Sequence, residues 1–178
     1  ISASLVGSEM CIRDSLSTFL VAGMINAQDT SKVETYKIAF FSKDASGVFK
    51  EMKGEVVTNG DNTPTSFELS IQTASINTGN GVQNKHAKSS QWFHSEKYPD
   101  ITFKSREIVT NEEGVFAKGD LVLHGVSKAI TLPLTVSSNE TNHVYKTKFS
   151  VVRADYQLGP KSKVSPSIKI IAAVTIKK

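Results

Sequence analysis

Strict alternation of apolar and polar residues, turn clusters about ten residues apart, and one helical interruption predict an all-β, antiparallel fold for this chain. The first run, near 33–41, is followed by runs near 47–58 and 65–76, where Phe67, Leu69 and Ile71 oppose Ser66, Glu68, Ser70 and Gln72. Runs near 99–109 and 115–124 come next. A run near 129–137 places Ile130, Leu132, Leu134 and Val136 opposite Thr131, Pro133 and Thr135. The run near 143–152 sets His143, Tyr145, Thr147, Phe149 and Val151 against Lys146, Lys148 and Ser150. In the last, near 166–177, Ile168, Ile170, Ala172, Val174 and Ile176 alternate with Lys169, Ile171, Ala173, Thr175 and Lys177. One wet face and one apolar face is the pattern of an antiparallel sheet.

Turn residues separate these runs. Asn59-Gly60-Asp61-Asn62, Asn111-Glu112-Glu113-Gly114, His124-Gly125-Val126-Ser127 and Asn139-Glu140-Thr141-Asn142 all read as turns. Eight strands at regular spacing point to a closed barrel, because closure removes sheet edges. A sandwich has the same periodicity and stays open as an alternative. Between Gly79 and Pro99 the alternation stops. Asn80 followed by Gln83 has the form of a capping box. Val82, His86, Ser89 and Phe93 then share one helical stripe, which predicts a short helical lid with His86 facing inward.

Composition narrows the function. The 178 residues suit one domain, and the net charge of +4 is spread along the chain, so nucleic-acid binding is not expected. Cys11 is the only cysteine, and His86, His94, His124 and His143 lack metal-ligand spacing. No metal or cofactor is expected. The chain has no G-x-S-x-G motif and no glycine-rich phosphate loop, Gly79-Asn80-Gly81 being a helix start. No catalytic residue is assigned and no enzyme is expected. Asn139-Glu140-Thr141 matches a glycosylation sequon.

Residues 1–27 are expected to be a leader that is removed. Leu16 to Ala27 forms an apolar run of about twelve residues ending in a small residue, as in a secretory signal, and is too short to span a membrane. Ser4 to Ser15 resembles translated sequencing adapter and is expected to have replaced the leader's true start. Cys11 precedes the apolar run, which does not fit a lipid-anchoring cysteine. Residues 28–178 are then the folded domain.

Within that domain a set of short motifs recurs in a fixed order. They are Ser46-Gly47-Val48-Phe49 with Lys53-Gly54-Glu55, Ser75-Ile76-Asn77-Thr78-Gly79-Asn80, Lys85-His86, Phe93, and Lys97-Tyr98-Pro99-Asp100-Ile101-Thr102-Phe103. Gly119-Asp120-Leu121-Val122-Leu123-His124-Gly125-Val126-Ser127-Lys128 and Val152-Arg153-Ala154-Asp155-Tyr156 complete the set. In this order the chain resembles the YceI-like family of polyisoprenoid-binding periplasmic proteins. The resemblance implies an eight-stranded lipocalin-like barrel with a helical cap between strands. It also implies a bacterial periplasmic or secreted location and an isoprenoid amphiphile, quinone or prenyl-phosphate-like, held in the lumen. Two positions depart from the family pattern. Gln83-Asn84-Lys85-His86-Ala87 stands where Arg-Asp-x-His-Leu is usual, and His94 replaces an acidic residue. Loss of the Arg-Asp pair bears on the head-group contact that the resemblance implies and leaves the barrel untouched.

An eight-stranded barrel either fills itself with side chains or encloses one slender ligand. The expected pocket lining is Phe49, Phe67, Leu69, Ile71, Phe103, Leu121, Leu123, Leu132, Leu134, Phe149 and Val151, with Trp92 and Phe93 at the lid. Lys85, His86 and Arg153 are head-group candidates, as donors to a phosphate or quinone oxygen. A forty-carbon tail would nominally gain about 32 kcal/mol on burial, well beyond the affinities that complexes reach. Partial enclosure therefore suffices. The partner expectations are this amphiphile, a transient membrane contact, and a monomer or homodimer. A secreted barrel with a filled core that binds another protein is the alternative.

Overall fold

Backbone pairing turns the alternating runs into a closed ring. The computed structural model describes residues 28–60, 63–160 and 164–178, so the expected leader lies outside the described residues. β1 (Asp29–Phe41) forms ladders on both sides. One side pairs with β10 (Ser167–Lys177), with Ile38 opposite Ala172 and Phe40 opposite Ile170. The other pairs with β2 (Ser46–Phe49) and β3 (Met52–Thr58). The ring is completed by β4 (Pro64–Gln72), β6 (Asp100–Asn111), β7 (Gly114–Leu123), β8 (Val126–Ser138) and β9 (Asn142–Val152), each antiparallel to its neighbours. The eight-stranded barrel is therefore closed, and the sandwich alternative falls.

Two of the runs are broken in the middle. β2 and β3 keep one register against β1, with Phe49 opposite Ile38 and Glu55 opposite Lys32, but Lys50 and Glu51 step out between them. The run expected at 65–76 is likewise interrupted by a 3-10 turn at Thr73–Ser75 before β5 (Ile76–Asn77), which pairs with β2. The breaks face each other. The Lys50 amide donates to the Ser75 hydroxyl at 3.2 Å, and the Gln72 amide to the Glu51 carbonyl at 3.0 Å. Backbone groups leaving one ladder thus find partners in the adjacent irregular segment.

The helix appears where capping predicts it. Asn80 accepts from the Val82 and Gln83 amides at 2.9 and 3.2 Å and starts α1 (Gly81–Lys88). The reciprocal half of the expected capping box is replaced: the Asn80 amide donates to the Thr78 hydroxyl at 3.3 Å instead. The helix ends at Lys88, so the four-residue stripe does not run its full length. Ser89 caps the C-terminus, and Phe93 reaches the interior from the turn beyond. Lys85, His86 and Lys88 occupy the last turn, where positive charge suits the helix dipole.

The turns follow their residues. His124 and Gly125 both have positive φ (52° and 75°), giving a two-residue hairpin between β7 and β8 of the kind that matches strand twist. Gly125 is also needed for space, since a Cβ there would lie 2.5 Å from the Tyr98 ring. A bulge in β6 between Ser105 and Glu107 faces Gly119 of β7. There the Ser105 hydroxyl accepts from the Phe67 amide of β4 at 2.8 Å, replacing a ladder bond with a side-chain bond. A Cβ on Gly119 would lie 2.2 Å from the Lys104 carbonyl oxygen and 2.7 Å from the Ser105 Cα. Gly119→Ala is expected to destabilise the fold by about 1–3 kcal/mol, read as a lower urea midpoint, whereas Gly60→Ala, with open space around it, is expected to leave the midpoint within error.

Candidate functional site

Closing the sheet leaves an interior that is hollow at one end and packed at the other. Inward residues of β1, β7, β9 and β10 (Ile38, Phe40, Leu121, Leu123, Phe149, Val151, Ile168, Ile170) surround a cavity of about 440 Å3 beneath the lid. Ile71, Ile76, Ile101 and Phe49 close its other wall, and Ala87, Trp92 and Phe93 its roof. Toward the opposite end a second chamber of about 80 Å3 is lined by Phe67, Leu69, Phe103, Leu132, Leu134 and Tyr145, among others. Ile38, Ile71, Ile101, Leu121, Phe149 and Ile170 line both chambers, so they form the neck of one lumen.

The far end is plugged by packing. Phe67 and Tyr145 meet edge to face with centroids 5.2 Å apart, beside Val56, Ala117 and Ile176, which are almost fully buried. The Tyr145 hydroxyl is buried without a hydrogen-bond partner, and burial pushes its pKa up to about 12. That phenol is neutral at any physiological pH. His143, also inward on β9, takes the Ser138 hydroxyl at Nδ1 (2.6 Å) and is 4% exposed. Burial, with the charge of Lys178 adding to it, holds its imidazole below the ordinary histidine value.

The expected lining thus divides by depth. Phe49, Ile71, Trp92, Phe93, Leu121, Leu123, Phe149 and Val151 face the large chamber, while Phe67, Leu69, Phe103, Leu132 and Leu134 face only the small one. The sequence list omits Ile38, Phe40, Ile76, Ile101, Leu158, Val164, Ile168 and Ile170. Ile168 and Ile170 carry an alternation signal that could have placed them. Leu158 and Val164 sit in the loop between β9 and β10 and carry none.

The three head-group candidates have three different fates. His86 lies at the cavity wall with its ring 6.0 Å from that of Trp92. Val82, Gln83, His86 and Ala87 face the cavity, a set spaced one turn apart, and Lys85 falls outside it. Lys85 is exposed on the outside of the lid, so the structure gives it no place at the cavity. Arg153 reaches the cavity wall but is 4% exposed, and its guanidinium is occupied. Nε donates to the Ser165 carbonyl (2.7 Å), Nη1 to those of Leu158 (2.7 Å) and Pro160 (3.3 Å), and Nη2 to that of Val164 (3.1 Å). Its planar fork gathers the loop joining β9 to β10 around the rim. Arg153 makes no ion pair with Asp155, which pairs with Lys128 at 3.6 Å. The indole of Trp92 lies 5.5 Å from the Arg153 guanidinium and against Gly159, where a Cβ would come within 2.7 Å of the ring. The rim is therefore a lid and a loop locked together.

Among the described residues no group of three or more His, Cys, Asp or Glu is placed to hold a metal ion. An eight-stranded barrel is either filled by its own side chains or wide enough for one small ligand, and this one leaves a roofed apolar chamber. Comparison with known proteins places the chain more closely. The sequence profile of the YceI-like domain matches residues 25–176, and the chain belongs to that family. A UPF0312 protein of Photorhabdus laumondii is 33% identical over 87 residues, 48% of this chain and 45% of that protein. Protein YceI of Escherichia coli O157:H7 is 31% identical over 87 residues, 48% of this chain and 46% of its own. The chain thus spans about half the length of the curated relatives it matches. Among solved structures, Burkholderia cenocepacia BcnA has a TM-score of 0.74 at 23% identity, over 80% of this chain and 98% of its own. A polyisoprenoid binding domain from Saccharophagus degradans, implicated in plant cell wall breakdown, has a TM-score of 0.64 at 17% identity, over 83% and 97%. At these identities the likeness is one of fold.

Arg153→Lys keeps the charge but loses the fork. It is expected to cost about 2–4 kcal/mol, and to raise amide hydrogen exchange at the described loop residues 157–159 and 164–165 more than in the β6–β7 hairpin. His143 gives a pH test. Its folded-state value is depressed, so below the ordinary histidine value the unfolded chain binds the extra proton first. Stability is then fully present above about pH 6.5 and declines as pH falls through the interval down to the folded-state value. His143→Gln is expected to flatten that slope in urea titrations between roughly pH 7.5 and 5.

Proposed function

We propose that this protein binds a long-chain isoprenoid amphiphile, quinone or prenyl-phosphate-like, in the lumen beneath the lid, and carries or sequesters it without chemical change. The observation that carries this reading is the cavity of about 440 Å3 walled by aliphatic and aromatic side chains. That volume lies within the range of small-molecule sites, and a filled core with no channel under the helix would have removed the case. A neighbour in fold is described as a polyisoprenoid binding domain, which supports the same ligand class. The expected leader supports a periplasmic or secreted setting.

The tail enters the large chamber and stops at the neck formed by Ile71, Leu121 and Phe149. Each methylene buried there contributes about 0.8 kcal/mol, so most of the affinity resides in the tail. His86 at the rim is left as the head-group donor, since Arg153 spends its hydrogen bonds on the loop.

Native mass spectrometry of protein purified without detergent tests this directly. A bound prenyl lipid is the expected mass difference, and an unliganded protein that also fails to take up all-trans prenyl alcohols of four and ten units would defeat the proposal. Leu121→Ala widens the neck. It is expected to shift preference toward the ten-unit alcohol by about tenfold, as the contact of one or two methylenes implies; an unchanged ratio would show that the tail does not reach the neck.

A further inference from the structure

The barrel exterior is divided. On β4, β6 and β7 the charges are paired: Lys104 with Glu68 at 3.0 Å, Lys118 with Glu107 at 3.3 Å, and Arg106 with Asp120. On the opposite side β8, β9 and β10 carry Lys128, Lys146, Lys148, Lys169 and Lys177 and no Asp or Glu. Lys128 and Lys177 reach Asp155 and Glu34 at the margins (3.6 and 3.9 Å). Lys146, Lys148, Lys169 and, on adjoining β1, Lys37 are exposed and make no ion pair among the described residues.

Exposed apolar side chains fall on the same wall. Phe41, Val152 and Ile171 are 44%, 45% and 41% exposed, and all three point outward from β1, β9 and β10. Register joins them to the lysines. Phe41 is opposite Lys169, which is opposite Ser150; Ile171 is opposite Lys148; Ala173 lies between Lys37 and Lys146. Stacked at strand spacing, these rows make a patch about 20 Å long and 10 Å wide. Its upper rows reach the rim, where Phe41 continues into Ser42 and Asp44 at the cavity wall.

We propose that this wall docks on the surface of an anionic phospholipid bilayer, with Phe41, Val152 and Ile171 entering the headgroup region and the four lysines meeting lipid phosphates. Interleaved lysine and apolar groups match a surface that is negative outside and oily just beneath. A second copy of the same face would bring four more unpaired lysines against these four, so charge disfavours self-association there. Docking side-on sets the cavity rim beside the leaflet. The inference uses only the outer wall and holds whether or not the lumen carries a lipid.

Co-sedimentation with phosphatidylcholine vesicles containing about a quarter phosphatidylglycerol tests it. Each lysine near such a surface is worth about a fivefold gain in partitioning, so Lys146→Gln/Lys148→Gln/Lys169→Gln is expected to lose on the order of a hundredfold. A matched triple on the paired side, Lys104→Gln/Arg106→Gln/Lys118→Gln, is expected to lose little. Binding should vanish on pure phosphatidylcholine and weaken in about 0.5 M salt, which screens beyond a few ångströms. Thermal melts of both triples confirm folding. Equal binding by both triples, no binding to the anionic vesicles, or a concentration-dependent dimer abolished by the first triple would each overturn the inference. Lipid carriage is read separately, from the mass of the purified protein.

Discussion

The seam between β1 and β10 is the constraint on which the rest depends. Eight strands in antiparallel order form a sheet with two edges, and joining the first strand to the last removes both. Once closed, the strands must tilt and stagger together, and every inward side chain is committed to a lumen of set width. Phe40 opposite Ile170 and Ile38 opposite Ala172 belong to that seam; Phe40, Ile170 and Ile38 also wall the large cavity, and Ala172 the small chamber. The contact that closes the fold and the surface that would hold a ligand are therefore the same residues.

The two strand breaks give the barrel its mouth. At Lys50–Glu51 and Thr73–Ser75 the backbone leaves the regular ladder, and the chain gains the slack to run over the open end as α1 and the turn that follows. The lid is fastened where it leaves and where it returns. At its start Asn84 Oδ1 accepts from the Thr78 amide and hydroxyl at 2.8 and 2.9 Å. At its end Thr73, 1% exposed, donates from its amide to the Pro99 carbonyl at 2.8 Å and from its hydroxyl to that of Tyr98 at 3.0 Å. Between these points Trp92 rests on Gly159 and Arg153. Such a lid is held at both ends, and beneath it the rings of Phe93 and Phe49 meet edge to face at 5.7 Å.

Period-two alternation made the barrel legible, because a half-buried strand repeats its environment every second residue. Ile168 through Ile176 and His143 through Val151 fall on the inner face as that pattern predicts. The breaks in the runs at 47–58 and 65–76 leave only local marks: the inward position shifts from Phe49 to Met52 across Lys50-Glu51, and the buried Thr73 is polar by sequence. The loop-gathering role of Arg153 was not legible for a related reason. A basic side chain at a strand end carries the same signal whether it meets a ligand or four loop carbonyls, and the carbonyls leave no mark in sequence. Lys85 and His86 are adjacent in sequence yet separated by about 100° around the helix, which sends one to solvent and the other to the cavity. The outer wall shows the opposite case: lysines without acids on three consecutive strands are plain in the sequence, but their meaning needs the pairing that lays those strands side by side.

The hollow end is a lid-roofed chamber of about 440 Å3 walled by apolar side chains, and its lining lacks the close contacts that packing gives the far end. The far end shows that this chain can fill its interior, with Phe67, Tyr145 and Leu132 leaving only about 80 Å3 there. The two ends share strands and much of their composition, so the void is not forced by barrel width alone. Larger side chains at Ala87 or Ile168 would narrow it, and the sequence has small or slender ones instead. The chain packs one half of its lumen and leaves the other open beneath a roof tied at both ends, and an apolar occupant would restore the contacts that the open half lacks.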